Sequence, residues 1–164
     1  PWGTMQYLQT AKDHNLPKMS TIQNSYSLLH RAYEYGMSEV SLRENIGLLV
    51  YSPLAFGVLS GKYIGGKKPS DARVTLFPNY NRYSSPQSEK AVLEYQKIAN
   101  KNGLSLVEMS LAFVNQLPFV TSNIIGASKM SQLKENINSI NIDLSEEIIN
   151  EINEIHKIMP NPAP

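Results

Sequence analysis

Along this chain, apolar residues at helical spacing alternate with short unbroken apolar runs. Met5, Leu8 and Ala11 mark a first helix, predicted over 4–17 with Thr4 as its cap and Pro17 as its stop. MSTIQN, 19–24, holds two β-branched residues and runs into polar turn formers, which is a strand signal. YSLLHRAYEYG follows as loop or short turns, and SEVSLREN, 38–45, as a short helix with a partial capping pattern. IGLLVYSPL, 46–54, is the clearest strand: it is apolar without alternation from Ile46 to Val50, as in a strand covered on both faces. Pro53 then stops its pairing.

Residues 55–85 form a long connection rich in Gly, Pro, Ser and Tyr. Connections beyond ~12–15 residues usually carry function or are disordered. From there the pattern is helical. Ser85 suits a cap, Pro86 the first helical position, and Ala91, Val92, Tyr95, Ile98 and Ala99 make one apolar face that Gly103 ends. Ser105 and Glu108 form a capping box for the next helix, SLVEMSLAFVNQL. VTSNIIGA, 120–127, reads as another strand, followed by a helix from Lys129 or Met130 to Ser139. Ser145 opens a last helix, with Glu146 and Glu147 in the first turn where the helix dipole favours them.

Buried strands alternating with helices predict an α/β fold with a parallel sheet. Three strands are visible, each apolar enough to want neighbours on both edges, and a bare edge is a liability. The chain therefore reads as part of a larger barrel or sheet. It opens on Pro1, which fits a start partway through a longer protein.

Charge narrows the partners. Lys and Arg total 15 against 14 Asp and Glu, a formal net charge of +1. No broad field draws in nucleic acid or anionic membrane, so neither is expected as a partner, and any anion must be held by a local site. There is no cysteine, hence no disulfide framework. No apolar run approaches the ~20 residues of a membrane span, and PWGTMQYLQTAKDHN has no signal-peptide pattern. A cytoplasmic setting is expected.

Three strand ends carry the candidate chemistry. In SNIIGASKMSQLKENI, small residues and Lys129 precede a helix start, whose first backbone N–H groups lack internal partners and attract anions. Gln132, Glu135 and Asn136 recur on one side of that helix. By spacing alone the stretch is either a plain strand-to-helix turn or a phosphate cradle. In YSPLAFGVLSGKY, Tyr51 offers a flat face to a planar ring, Ser52, Leu54 and Ala55 offer polar contacts, and Lys62 and Arg73 are nearby cations. Gln23 and Asn24 close the first strand, where an amide forms a turn or faces a ligand. His14 and His156 read as surface residues and His30 as structural. Tyr26 and Tyr63 lack an evident activating cation. No catalytic set and no metal site is apparent.

QNxYSLL, YSPLxxGxLSGKY and IIGASKxxQLxEN, in that order, resemble the aldo-keto reductase family. The resemblance is to the branch with a long loop after the seventh strand, which includes Tas-like reductases and potassium-channel β subunits. It implies a (β/α)8 TIM barrel that reduces aldehydes or ketones with NADPH, and makes residues 1–164 its C-terminal half. Gln23 would then hold the nicotinamide carboxamide and Tyr51 would stack on the ring. Ser52, Pro53, Leu54, Ala55 and Lys62 would line the pyrophosphate. Gly126 and Ser128 would sit at the adenosine phosphate, Lys129 or Arg73 at the 2′-phosphate, and Gln132, Glu135 and Asn136 around the ribose and adenine. The family's Asp, Tyr, Lys and His tetrad belongs to the first half of the barrel, so no residue here is expected to be catalytic. The alternative is a non-catalytic nucleotide-binding or self-associating half-barrel.

Overall fold

In a computed structural model that describes residues 1–163, three short parallel strands run side by side with helices packed on one face. Helix α1 spans Trp2–Asp13 and strand β1 Thr21–Ser25; α2 (Met37–Glu44) leads to β2 (Gly47–Tyr51). A long connection with short 3-10 turns and one small helix, α3 (Arg73–Leu76), reaches α4 (Pro86–Lys101) and α5 (Leu106–Asn115). Strand β3 (Val120–Asn123), α6 (Met130–Asn138) and α7 (Glu146–Ile158) complete the order.

The sheet order is β1-β2-β3, all parallel, so the outer edges of β1 and β3 have no strand partner among the described residues. This is the expected α/β architecture, consistent with part of a (β/α)8 barrel. The side chains divide by parity, as strand geometry requires. Leu48 and Val50 are fully buried against the helices, while Leu49 and Tyr51 on the opposite face are half-buried. Gln23 and Ser122, paired by register with Leu49, are exposed on that same open face. Between Leu48 and Leu49 the register with β3 slips, and Thr121 is left opposite no residue as a bulge.

The caps expected at Ser85, Ser105 and Ser145 form, whereas Thr4, expected to cap the first helix, lies inside α1, whose N-cap position is Pro1 with no side-chain capping bond. Ser85 Oγ accepts from Ser88 N at 3.0 Å, with Pro86 in the first turn. Ser105 and Glu108 make the reciprocal capping box, and Ser145 Oγ accepts from Ile148 N. Ala91, Val92, Tyr95, Ile98 and Ala99 are buried in the same core as Leu48, Val50, Met109, Phe113 and Ile152. Strand β2, expected over 46–54, is Gly47–Tyr51, ending where Ser52 turns left-handed, and two other spans differ more. Helix α1 ends at Asp13, four residues before Pro17, because Asn15 adopts a left-handed φ of 53° and Leu16 N bonds back to Ala11 O. Strand β3 ends at Asn123 rather than 127; Ile124 N still reaches Val50 O at 2.8 Å, but β2 finishes at Tyr51 and offers no further partner.

A polar knot ties the far end of the chain to the β1 side. Arg31 is 7% exposed, and its Nε and Nη2 donate to the two Glu34 oxygens at 2.7 and 3.0 Å. Its Nη1 donates to Asn153 at 2.9 Å and its guanidinium lies 5.0 Å from the Phe113 ring centre. Asn161 Oδ1 accepts from Arg31 N, Ala163 N donates to Leu29 O, and the Pro162 carbonyl accepts from both Ser85 Oγ and Ser88 Oγ.

Candidate functional site

The carboxyl end of β2 runs straight into a tight turn. Ser52, Ala55 and Phe56 take φ of 55°, 48° and 57°, in the left-handed region where a side chain is strained. The strain is held by closure: Ala55 N donates to Ser52 O at 2.9 Å and Gly57 N to Leu54 O at 2.8 Å, with Pro53 and Ala55 buried. Strain of this kind persists only where the surroundings fix it, and it collects at functional sites. The turn is roofed by Lys62: a Cβ on Gly57 would stand 2.9 Å from its Cε and 3.0 Å from its Nζ. Gln23 and Tyr51 share the open face of the sheet, because Gln23 pairs with Leu49, two residues before Tyr51.

The β3–α6 junction lies on the other side of this turn. Gly126 is exposed, and a Cβ there would meet nothing within 4 Å, so its smallness serves open space rather than packing. Ser128 N and Oγ both donate to Gln132 Oε1, at 3.1 and 3.2 Å. Asn136, 5% exposed, reaches back to Gly126 O at 3.5 Å. Lys129 is the N-cap residue of α6 and makes no side-chain capping bond, so the first N–H groups of that helix are uncapped. Glu135 points elsewhere: its Oε1 accepts from Ser105 Oγ at 2.7 Å, which ties α6 to the start of α5.

The long connection returns over this junction. Lys129 Nζ donates to Asp71 Oδ2 at 2.8 Å. The hydrogen bond and the charge of Lys129 hold the Asp71 carboxyl below its usual range, Lys62 adds a weaker pull, and the Lys129 ammonium is raised in turn. Both side chains are exposed, and surface pairs stabilise little. Its effect is positional. The pair joins the connection after β2 to the junction after β3 and brings Lys62, Asp71 and Lys129 into one field. Arg73 stands outside that contact, 5.8 Å above the Phe56 ring. Phe56 packs edge-on against Tyr83 at 4.8 Å and Tyr80 at 5.2 Å, so an aromatic cluster braces the connection from within.

Asp71, Tyr83 and the bond of Ser105 to Glu135 escaped the sequence reading. Asp71 sits in an aperiodic stretch and its partner is 58 positions away, so no local signal marks it. Tyr26 does have a cation near it, Arg31, but it is fully buried and donates to Glu34; burial pushes its hydroxyl far above the ordinary range. That makes it part of the knot and no acid. Tyr63 Oη accepts from Val74 N at 3.2 Å. His156, expected at the surface, is half-buried with a buried Nδ1 that has no hydrogen-bond partner, because α7 packs it beside the Arg31 knot. Two clefts are present. One, of ≈ 450 Å³, sits under the long connection. The other, of ≈ 310 Å³, lies along β3 and α6 and includes the β3 tip at Asn123 and the side chain of Asn136.

A strained turn, a small-residue helix start and two cations at the carboxyl ends of parallel strands define an α/β protein of the kind that gathers ligands there. The family follows from comparison: the chain belongs to the aldo/keto reductase family, whose model matches residues 1–157. It is 50% identical to Protein tas of Escherichia coli (strain K12) over 163 residues, 99% of this chain and 47% of that protein. It is 30% identical to a probable voltage-gated potassium channel subunit beta of Oryza sativa subsp. japonica, over 90% of this chain and 43% of that one. It is 29% identical to the L-glyceraldehyde 3-phosphate reductase of Escherichia coli (strain K12), over 86% and 42%. The chain thus spans under half the length of each of these relatives. No helix among the described residues is long and apolar enough to cross a membrane.

Proposed function

We propose that this chain is the C-terminal, dinucleotide-holding half of an oxidoreductase that reduces aldehydes or ketones with NADPH. The observation that supports the reading most is the Lys62–Asp71–Lys129 field laid over an uncapped helix start and the open space at Gly126. These are fitting partners for phosphate groups: backbone N–H groups, a small residue that admits close approach, and mobile cations. Within the reading, Ser52, Pro53, Leu54, Ala55 and Lys62 face the pyrophosphate, Gly126 and Ser128 the adenosine phosphate, and Gln23 and Tyr51 the nicotinamide. Gln132 and Asn136 stand at the ribose and adenine, and Glu135 joins them by exchanging its bond to Ser105 for one to the nucleotide. Asn136 and Gln132 act there mainly by fixing the Gly126–Ser128 backbone, given the bonds they make.

NADPH, when bound, supplies the hydride. The residues of this chain bind and orient it, and the tetrad that would protonate the carbonyl oxygen is not among them. A 2′-phosphate at Lys129 would compete with the Asp71 carboxylate for the same ammonium, so binding and the grip of the long connection are coupled.

The test is a fluorescence titration of NADPH and NADH against the complete product of the reading frame. NADPH should bind more tightly. Lys129→Ala combined with Arg73→Ala should cut that preference by about tenfold, the scale of one charge-assisted contact. An unchanged ratio would remove both residues from the 2′-phosphate, and no quenching by either nucleotide would remove the reading itself.

A further inference from the structure

The ≈ 450 Å³ cleft under the long connection is left unused by everything above. Its size falls within the ~300–1,000 Å³ of small-molecule pockets. Val58, Ile64, Val74, Pro78, Val92 and the Tyr83 ring make its walls, so it is apolar inside. Its charged lining is two cations against one acid. Lys67 and Lys68 line it, both exposed, and neither forms an ion pair among the described residues. Glu89, the acid on its lining, is already engaged: its Oε1 accepts from Gly65 N at 2.7 Å. Thr75 also lines the cleft, and its Oγ1 is buried without a hydrogen-bond partner.

A buried hydroxyl with nothing to bond costs roughly 1–3 kcal/mol, and an acceptor oxygen placed beside it would recover that cost. Two unpaired cations and an orphan donor around an apolar hollow complement an anion with a hydrocarbon body. We propose that this cleft binds a small amphipathic carboxylate, an alkyl or aryl acid. Its apolar body packs on Val58, Val74 and Val92, and its carboxylate accepts from Thr75 Oγ1 and is neutralised by Lys67 and Lys68. The occupant joins α3, which carries Thr75, to α4, which carries Val92. It therefore pins the connection that also bears Asp71 and Arg73. The site does not depend on the nucleotide reading, since none of its residues belongs to the proposed cofactor set.

Decanoate is a suitable probe, with decanol as its neutral counterpart, and calorimetric titration of the complete product without nucleotide is the measurement. Decanoate should bind saturably and at least tenfold more tightly than decanol. K67E/K68E, changed at exposed positions that make no hydrogen bond or ion pair among the described residues, should lose at least tenfold in affinity. Thr75→Val should also weaken binding while melting no lower than the parent, because it removes an unpaired buried hydroxyl. Hydrogen exchange of residues 61–92 should slow with decanoate. No saturable heat, equal binding of decanol, or full affinity in both variants would overturn the proposal.

Discussion

In Gly47→Ala the new methyl carbon would stand 1.7 Å from Thr121 Oγ1 and 2.9 Å from Thr121 Cβ. Rotating the threonine about χ1 removes the first contact but leaves the second, so the backbone of β3 has to move. Thr121 is the bulged residue of β3, which makes this the point where the register between β2 and β3 is set. Overpacking of this kind costs about 1–3 kcal/mol. Replacing glycine in a strand returns about 0.5–1 kcal/mol through the unfolded chain. Taking the middle of each range, the net loss is about 1 kcal/mol, or roughly 2–4 °C in Tm for a chain of this length. Thermal melts by circular dichroism should show it. Thr121→Gly clears the space, so in that background Gly47→Ala should cost nothing or stabilise slightly, a coupling that a double-mutant cycle reads directly. The reasoning is refuted if Gly47→Ala melts at or above the parent, or if its cost is the same with glycine at position 121.

Two further outcomes follow from buried groups. Glu34→Gln leaves the Arg31 guanidinium 7% exposed and without its carboxylate, which should cost about 3 kcal/mol in urea unfolding, the low end for a broken buried pair because Glu34 itself is partly exposed. A loss below about 1 kcal/mol would show that the knot is solvated. His30 and His156 both carry a buried, unpartnered Nδ1, and burial, helped by Arg82 and Arg31 respectively, lowers their pKa from 6.5. A base depressed in the folded state contributes its full stability above 6.5 and loses it as acid is added through the folded value. Melting temperature should hold above that pH and fall below it, and His30→Gln with His156→Gln should flatten the slope.

The legibility of this chain follows the range of the interactions involved. Ser85, Ser105 with Glu108, and Ser145 were readable as caps because each acts on a backbone group three residues away. The parallel sheet was readable from unbroken apolar runs such as Ile46–Val50. The end of β3 was not: Ile124 and Ile125 have strand composition, yet a ladder needs a neighbour, and that neighbour had already turned at Ser52. The helix spacing of Gln132, Glu135 and Asn136 was visible, but not that Ser105, thirty positions earlier, occupies Glu135. The Asp71–Lys129 contact is likewise invisible without the fold, since nothing around Asp71 is periodic.

Residues 161–163 fasten the Leu29 carbonyl, the Arg31 amide and the hydroxyls at the mouth of α4, groups laid down much earlier in synthesis. A ribosome delivers those fasteners after every helix and strand described here has already emerged. The nascent polypeptide must wait with Arg31 and the α4 entrance unlatched, so a cleavage between α7 and Asn161 would release an otherwise complete arrangement that never locks.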